Sequence, residues 1–381
     1  MTDLAYSIAD QDVKRTKSIG IYNFSLHLAR YLSGHPQLQN VTVFTNRTVS
    51  PQLRLAAGAR VQDYDFARRS KVGRIWWDQW RLYRAAQATG HRWLFLPKGF
   101  CSFLARPRPQ IAAFVHDIMG DFYRRHYPGM QSKFEAFYFT RSLAATLRQS
   151  RVIFTNTEFS KRELTGWAER SGLSCPPVTV AGYGFEAPEP EWTAKENRVL
   201  LFASAMPHKR TDLALRFVTR WLQASHYDGV IDCIGIFSAR MARPAGPGWR
   251  WIGRVLPAES RDLMRRARAV IYFSEYEGFG MPPVEAVLEG SCPVYSDIPP
   301  LREAMGEAGC AFSNDSEASF VKAMDRALAT SPETIHSWAA GLLRRHHWPT
   351  VADRIVRELS SALIGGAPLN FSFPFVRRNP L

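Results

Sequence analysis

The stretch Glu277-Gly278-Phe279-Gly280-Met281-Pro282-Pro283-Val284-Glu285 decides how this chain is read. Two carboxylates eight positions apart flank a Gly-Phe-Gly loop and a Pro-Pro step. Before it, Ala269-Val270-Ile271-Tyr272-Phe273 is a short apolar run with the composition of a buried strand. After it, Pro283 to Glu289 reads as a helix with proline in its first turn and a stop at Gly290. Strand, glycine loop, helix is an order that gathers free backbone N–H groups and a helix N-terminus at one point. An anionic or hydroxyl-rich ligand finds donors there. This reading sets Glu277 at the carboxyl end of the strand and Glu285 in the opening turns of the helix, both toward a crevice. Two such acceptors suit the hydroxyls of a sugar and of a ribose. The plain alternative for the same spacing is a buried acidic turn.

Working outward, 381 residues are too many for one ordinary core and suit two α/β domains. A hydrophobic content of 46% excludes general disorder. No run approaches the roughly 18–20 apolar residues that cross a bilayer. The first residues reach Lys14-Arg15 without an apolar core segment, which predicts no secretory signal. Five cysteines, Cys101, Cys175, Cys233, Cys292 and Cys310, are scattered without metal-ligand or CxxC spacing. They predict a reduced, cytoplasmic protein. The net charge of +15 is uneven: residues 1–190 carry 26 Lys/Arg against 14 Asp/Glu, the remainder 23 against 20. A basic first half faces something anionic, such as a membrane surface, a lipid diphosphate or nucleic acid, or else carries solubility charge.

Strand-like runs alternate with helical ones. Leu4 to Ala9, Val41 to Phe44, Trp93 to Leu96, Ile111 to Val115 and Val152 to Thr155 read as strands, with a helix over Ile21 to Leu32. The segment Gly184 to Pro190 is the best linker. Beyond it, Val199 to Ala203, Val230 to Ile236 and Ala269 to Phe273 are strands, and Thr211 to Ala224 and Glu259 to Ala267 are helices. A helix from Val351 to Leu363 follows Trp348-Pro349-Thr350, and residues 365–381 read as an irregular tail. The alternation predicts parallel sheets covered on both faces. Two Rossmann-like halves, residues 1–185 and 190–346, place a ligand in the cleft between them.

Three further elements stand at strand ends. Ser204-Ala205-Met206-Pro207-His208-Lys209-Arg210-Thr211-Asp212 follows a strand and opens a helix, His116-Asp117 ends a strand, and Ser18-Ile19-Gly20 opens a helix. Each has an ordinary structural reading as a solvated charge, a satisfied histidine or a helix start. Arg68 to Arg84 holds six basic residues, one Asp, and Trp76, Trp77 and Trp80. It reads as a helix packing its tryptophans on a sheet, as an amphipathic membrane-surface helix, or as a base-stacking surface. There is no P-loop, G-x-S-x-G elbow, HExxH or paired-Cys zinc pattern.

The segment Glu277 to Glu285 resembles the E-x7-E signature of retaining, family-4 type glycosyltransferases of the GT-B fold. The wider stretch Trp251 to Phe312, with Gly253-Arg254-Val255 and Cys292-Pro293-Val294, resembles their nucleotide-sugar domain. The resemblance implies a two-domain α/β GT-B fold, with a helix at about 348–364 crossing back to the N-terminal domain. It implies that Lys209 grips a donor diphosphate together with amides near Gly20. Glu277 and the Gly278, Phe279 and Gly280 amides then hold sugar hydroxyls, Glu285 holds the ribose, and Arg254 and Val255 contact the base. His116 lies at the reacting centre through its carbonyl or its ring, and Asp117 supports the loop. The family's arginine in the Lys209 loop falls at Ser204 or Ala203 here and is missing, leaving Arg210 as a candidate substitute. No metal or other cofactor is implied.

The implied activity is transfer of a hexose with retention. Similarity to bacterial polysaccharide mannosyltransferases makes GDP-mannose the first donor. A saccharide or lipid-linked saccharide is the implied acceptor, and surface polysaccharide or lipopolysaccharide synthesis the process. The implied place is the cytoplasm, peripheral on the inner face of the membrane. A GT-B-fold nucleotide-sugar epimerase and a basic nucleic-acid-binding protein are the alternatives. The second is disfavoured, because the charge avoids the most specific motif.

Overall fold

The computed structural model describes residues 2–12, 19–64, 71–187, 192–238, 241–246 and 248–364. Ser18, Arg68, Arg69, the end of the linker and the tail 365–381 lie outside the described residues. The first half runs β1 (Thr2–Ser7), α1 (Ile19–Ser33), β2 (Leu38–Thr45) and β3 (Arg60–Asp63). Next come α2 (Lys71–Trp76), a wide π turn (Trp77–Arg81), α3 (Leu82–Ala88), β4 (Trp93–Leu96) and β5 (Gln110–Phe114). Then follow α4 (Met119–His126), α5 (Lys133–Gln149), β6 (Ser150–Thr155), α6 (Glu158–Arg170) and β7 (Val178–Val180). These seven strands form one parallel sheet in the order β3-β2-β1-β4-β5-β6-β7.

The second half holds β8 (Arg198–Ser204), α7 (Thr211–Ser225), β9 (Val230–Ile236), β10 (Trp249–Gly253) and α8 (Pro257–Arg266). It continues through β11 (Ala269–Tyr272), α9 (Met281–Leu288), β12 (Cys292–Ser296), α10 (Pro299–Met305) and β13 (Cys310–Phe312). Helices α11 (Glu317–Ala329), α12 (Pro332–Arg345) and α13 (Trp348–Ile364) close the described chain. Its six strands form a second parallel sheet, β10-β9-β8-β11-β12-β13. Strands sandwiched between helix layers are apolar on both faces, as Ile111, Ala112, Ala113 and Phe114 are, all fully buried.

Helix α13 returns to the first half. Trp348, fully buried, lies against Phe24, His27 and Tyr31 of α1 at ring-centroid distances of 5.5, 5.5 and 5.8 Å. Arg354 Nη1 donates to the Ala181 carbonyl at 3.2 Å. Among the described residues, no helix is long and apolar enough to cross a membrane.

The element boundaries move for physical reasons. Helices α8, α9 and α13 begin earlier than their apolar patterns suggest, at Pro257, Met281 and Trp348. Each has proline among its first three residues, where a missing N–H costs no intrahelical bond. Strand β1 ends at Ser7 rather than Ala9, because Gln11 N donates back to Ile8 O and turns the chain. Helices α4 and α5 and strands β3, β7, β10, β12 and β13 are elements that the apolar runs do not announce.

Candidate active site

Strand register brings the key loops together. β8 and β11 are parallel neighbours with Phe202 opposite Tyr272, so the loops after them emerge side by side. In the first loop, Thr211 Oγ1 donates to Ser204 O at 2.8 Å and accepts from Ser204 N at 2.9 Å, clasping residues 204–211. A single helical turn, Pro207–Lys209, and a left-handed Arg210 (φ 43°) then lead into α7. The clasp aims Lys209 across at the second loop. Lys209 Nζ stands 2.5 Å from Glu277 Oε1 and 2.5 Å from Tyr272 Oη, and Tyr272 Oη donates to Glu277 Oε1 at 2.8 Å.

This group is a charged knot in a nearly dry place. Glu277 is only 8% exposed. Burial pushes its carboxyl upward, but the Lys209 ammonium, His208 and the bonds from Lys209 and Tyr272 outweigh burial and hold it below the ordinary value. Burial drives the Tyr272 phenol far above its usual range, so it stays a donor. Arg210 does not join the knot. Its Nη1 lies 3.3 Å from Glu275 Oε2, and Glu275 also takes the Tyr127 hydroxyl.

Gly278, Phe279 and Gly280 carry the chain from Glu277 to α9. Among the described residues, none of their N–H groups has an intramolecular acceptor. Gly280 is left-handed (φ 85°) and a Cβ on it would lie 2.0 Å from Leu301 Cδ2, so glycine is required there. The Phe279 side chain is buried against Tyr183 at 5.3 Å and His346 at 5.1 Å, which ties the loop to the linker and to the approach to α13. The Glu285 carboxyl group, half-buried one turn into α9, has no hydrogen-bond or ion-pair partner among the described residues. Burial raises its pKa to about 7, with Arg261 opposing and Glu289 reinforcing the shift.

The first half supplies the opposite wall. β5 and β6 are parallel neighbours, Phe114 opposite Phe154, so His116 and Asn156 emerge together. His116 Nε2 lies 2.8 Å from Pro97 O, and Asn156 Nδ2 lies 3.3 Å from both His116 Nδ1 and His116 O. Both ring nitrogens are therefore engaged, and burial lowers the ring pKa to about 4, which keeps it neutral. With the ring committed, the backbone carbonyl is the part of His116 presented to the second half. Asp117 Oδ1 accepts from Met119 N at 2.8 Å.

Across the cleft, Gly278 touches this wall directly. A Cβ on Gly278 would lie 2.4 Å from His116 O. Thr157 Oγ1 and Ser160 Oγ donate to Gly278 O at 2.9 and 3.1 Å from the start of α6. Tyr123 of α4 meets His208 Nδ1 at 2.5 Å, and Phe122 stacks on Tyr276 at 4.3 Å. The first turns of α1 and α9 also converge, since a Cβ on Gly20 would lie 2.3 Å from Met281 Cε. Two helix N-termini aimed at one place, with Lys209 beside them, favour an anion there. Arg254 and Val255 stand apart from this knot, beyond the end of β10: Arg254 is exposed, and Val255 packs on the core that holds Leu200 and Ile234.

Tyr272, Tyr123 and His208 enter the site without a sequence signal of their own, whereas Asn156, Thr157 and Ser160 belong to a stretch that reads as a capped helix start. Their partners lie 40 to 121 residues away for all but Tyr272.

Two parallel sheets with their loops facing across a cleft, and a last helix returned to the first, define the GT-B class. Solved structures agree along nearly the whole chain. Sucrose-phosphate synthase from Thermosynechococcus elongatus is similar at a TM-score of 0.67 and 13% identity, covering 96% of this chain and 100% of that one. Anabaena HepE, in complex with UDP and glucose, is similar at 0.65 and 14%, covering 95% and 100%. At such identities the likeness is one of fold. Residues 197–330 match the family described as glycosyl transferases group 1.

Curated relatives are similar over shorter stretches. A GDP-mannose:cellobiosyl-diphosphopolyprenol alpha-mannosyltransferase from Xanthomonas oryzae pv. oryzae is 30% identical over 108 residues, 27% of this chain and 28% of that protein. The O-antigen chain mannosyltransferase B of Escherichia coli is 28% identical over 207 residues, 48% of this chain and 52% of that protein. The chain thus spans between about a quarter and a half of the length of these relatives. Neither lends support to the epimerase alternative.

Proposed function

We propose that this protein transfers a hexose, mannose from GDP-mannose first among the donors, to a saccharide or lipid-linked saccharide with retention of configuration. The proposed process is surface polysaccharide or lipopolysaccharide synthesis, at the cytoplasmic face of the membrane. The observation that carries the reading is the Lys209–Glu277–Tyr272 knot, set before the free amides of 278–280 and facing the His116 carbonyl. The names of the two relatives support the choice of donor.

In this reading Lys209 and the converging N-termini of α1 and α9 take the diphosphate. Glu277 and the 278–280 amides take the sugar hydroxyls, and the unpaired Glu285 accepts from the ribose. The bond from the anomeric carbon to phosphate oxygen breaks, and the acceptor oxygen bonds to that carbon on the same face. The departing phosphate takes the acceptor's proton. The chain's own contribution is positioning and stabilisation of the leaving charge, which calls for no metal. Incubation with a panel of nucleotide sugars, scored by thermal shift and by release of the nucleoside diphosphate, tests it. GDP-mannose should give the largest response, and no response to any nucleotide sugar would overturn the reading.

A further inference from the structure

Twelve large apolar side chains are conspicuously exposed among the described residues, and eight of them fall between Val72 and Phe137. They come from α2, the π turn, the loop after β4 and the region of α5. Their arrangement is periodic. Val72 (74% exposed), Trp76 and Trp80 are spaced by four, so they share one outward stripe. The π turn sends Trp77 inward, where it is fully buried, so the three tryptophans divide between core and surface. On α5, Phe134 (59% exposed) and Phe137 (54%) project from one face.

The two helices present one continuous surface. Ile75 of α2 and Phe100, Phe134, Glu135, Tyr138 and Phe139 line an open groove of about 170 Å³ between them. Phe103 bridges to Phe137 and Tyr138 at 6.1 and 5.7 Å. Cations surround this apolar surface. The Arg81 guanidinium lies 4.9 Å from the Trp76 ring centroid and that of Arg141 5.9 Å from Phe137, while Lys133 is exposed at the start of α5. The acids nearby are turned to other work. Glu135 caps α5 through Ser132, and Asp78 faces inward, where Lys98, Asp10 and Tyr138 surround it.

We infer that this surface is a docking face for an anionic lipid bilayer. Protruding aromatic side chains with flanking arginine and lysine match the boundary between acyl chains and anionic headgroups, where rings insert and cations pair. Glu135 is held at the α5 N-cap, and the protruding rings with their arginines and Lys133 are complemented together by an anionic bilayer. The docking face deepens the proposed membrane-side acceptor and rests on it for its purpose. Its test does not use transfer activity.

The experiment measures co-sedimentation of the full chain with phosphatidylglycerol/phosphatidylcholine vesicles and with pure phosphatidylcholine vesicles. Wild type and a Phe134→Ser/Phe137→Ser variant are compared. The side chains changed are exposed, and an unchanged thermal midpoint certifies the fold. Wild type should bind the anionic vesicles with a blue shift in tryptophan emission, and salt should weaken the binding. The variant should bind roughly tenfold more weakly or worse. Absence of wild-type binding, equal binding by the variant, or indifference to phosphatidylglycerol would overturn the inference. So would a wild-type dimer in sedimentation that the variant abolishes, since a second copy would then be the occupant. Release of nucleoside diphosphate from the preferred donor, measured without vesicles, should be the same in both proteins. If that release is missing in both, the transferase reading fails while the docking result stands.

Discussion

Lys209 Nζ and Glu277 Oε1 meet at 2.5 Å, with the Tyr272 hydroxyl bonded to the same carboxylate oxygen. A lysine held in this way has two possible partners once a diphosphate enters, and the phosphate must compete with Glu277 for it. The two variants of this pair therefore separate catalysis from nucleotide binding.

Glu277→Gln keeps the shape but removes the charge that Lys209 faces. Transfer should fall about ten- to a hundredfold, because a charge-assisted hydrogen bond to a sugar hydroxyl contributes roughly 1.5–3 kcal/mol. Affinity for the free nucleoside diphosphate should not fall, since Lys209 loses its competitor. Steady-state rates and calorimetry on the same preparation check both halves. Turnover within twofold of the parent would remove this glutamate from the donor.

The two glycines at the cleft should differ in tolerance. A Cβ on Gly278 runs into the carbonyl of His116, a backbone atom with no freedom to retreat. A Cβ on Gly20 meets only the methyl end of Met281, which can swing aside. Gly278→Ala should therefore cost most of the activity, while Gly20→Ala should leave the thermal midpoint within a few degrees of the parent. Loss of stability at Gly20 as large as that at Gly278 would contradict the described approach of the two halves.

Glu285 gives a pH signature. Its pKa is raised from an ordinary 4.5 to about 7, first by burial, with Arg261 opposing and Glu289 adding to the shift. Between those values the folded state holds a proton that the unfolded state releases. The stabilisation it gives is therefore present below about pH 4.5 and disappears as pH rises through about 7. Thermal midpoints of wild type and Glu285→Gln, compared at pH 5.5 and pH 8, should show the wild type losing ground at the higher pH. The difference is on the order of 1–3 kcal/mol. A pH-independent difference would place Glu285 in solvent.

Much of this was legible in the residues. Ala269 to Phe273, the glycine loop and the helix after it lie where the apolar run and the Pro-Pro step set them, and β4 and β9 match residue for residue. Local chemistry was readable because strand composition and proline placement act over a few residues. What escaped depends on distance or on exposure. Helix α5 shows Phe134 and Phe137 to solvent, which blurs its apolar period, and β7 and β13 are only three residues long. The partnership of Tyr123 with His208 spans 85 positions, and no local pattern encodes it. The pairing of Arg210 with Glu275, 65 positions away, was equally invisible.

The central claim is that Lys209 holds the donor diphosphate at the meeting of two helix N-termini. Calorimetric titration of wild type and Lys209→Ala with the nucleoside diphosphate of the preferred donor tests it most directly. The account predicts at least a tenfold loss of affinity in the variant, about 1.4 kcal/mol or more, with Arg210→Ala affected less. Equal affinity in wild type and Lys209→Ala would contradict it.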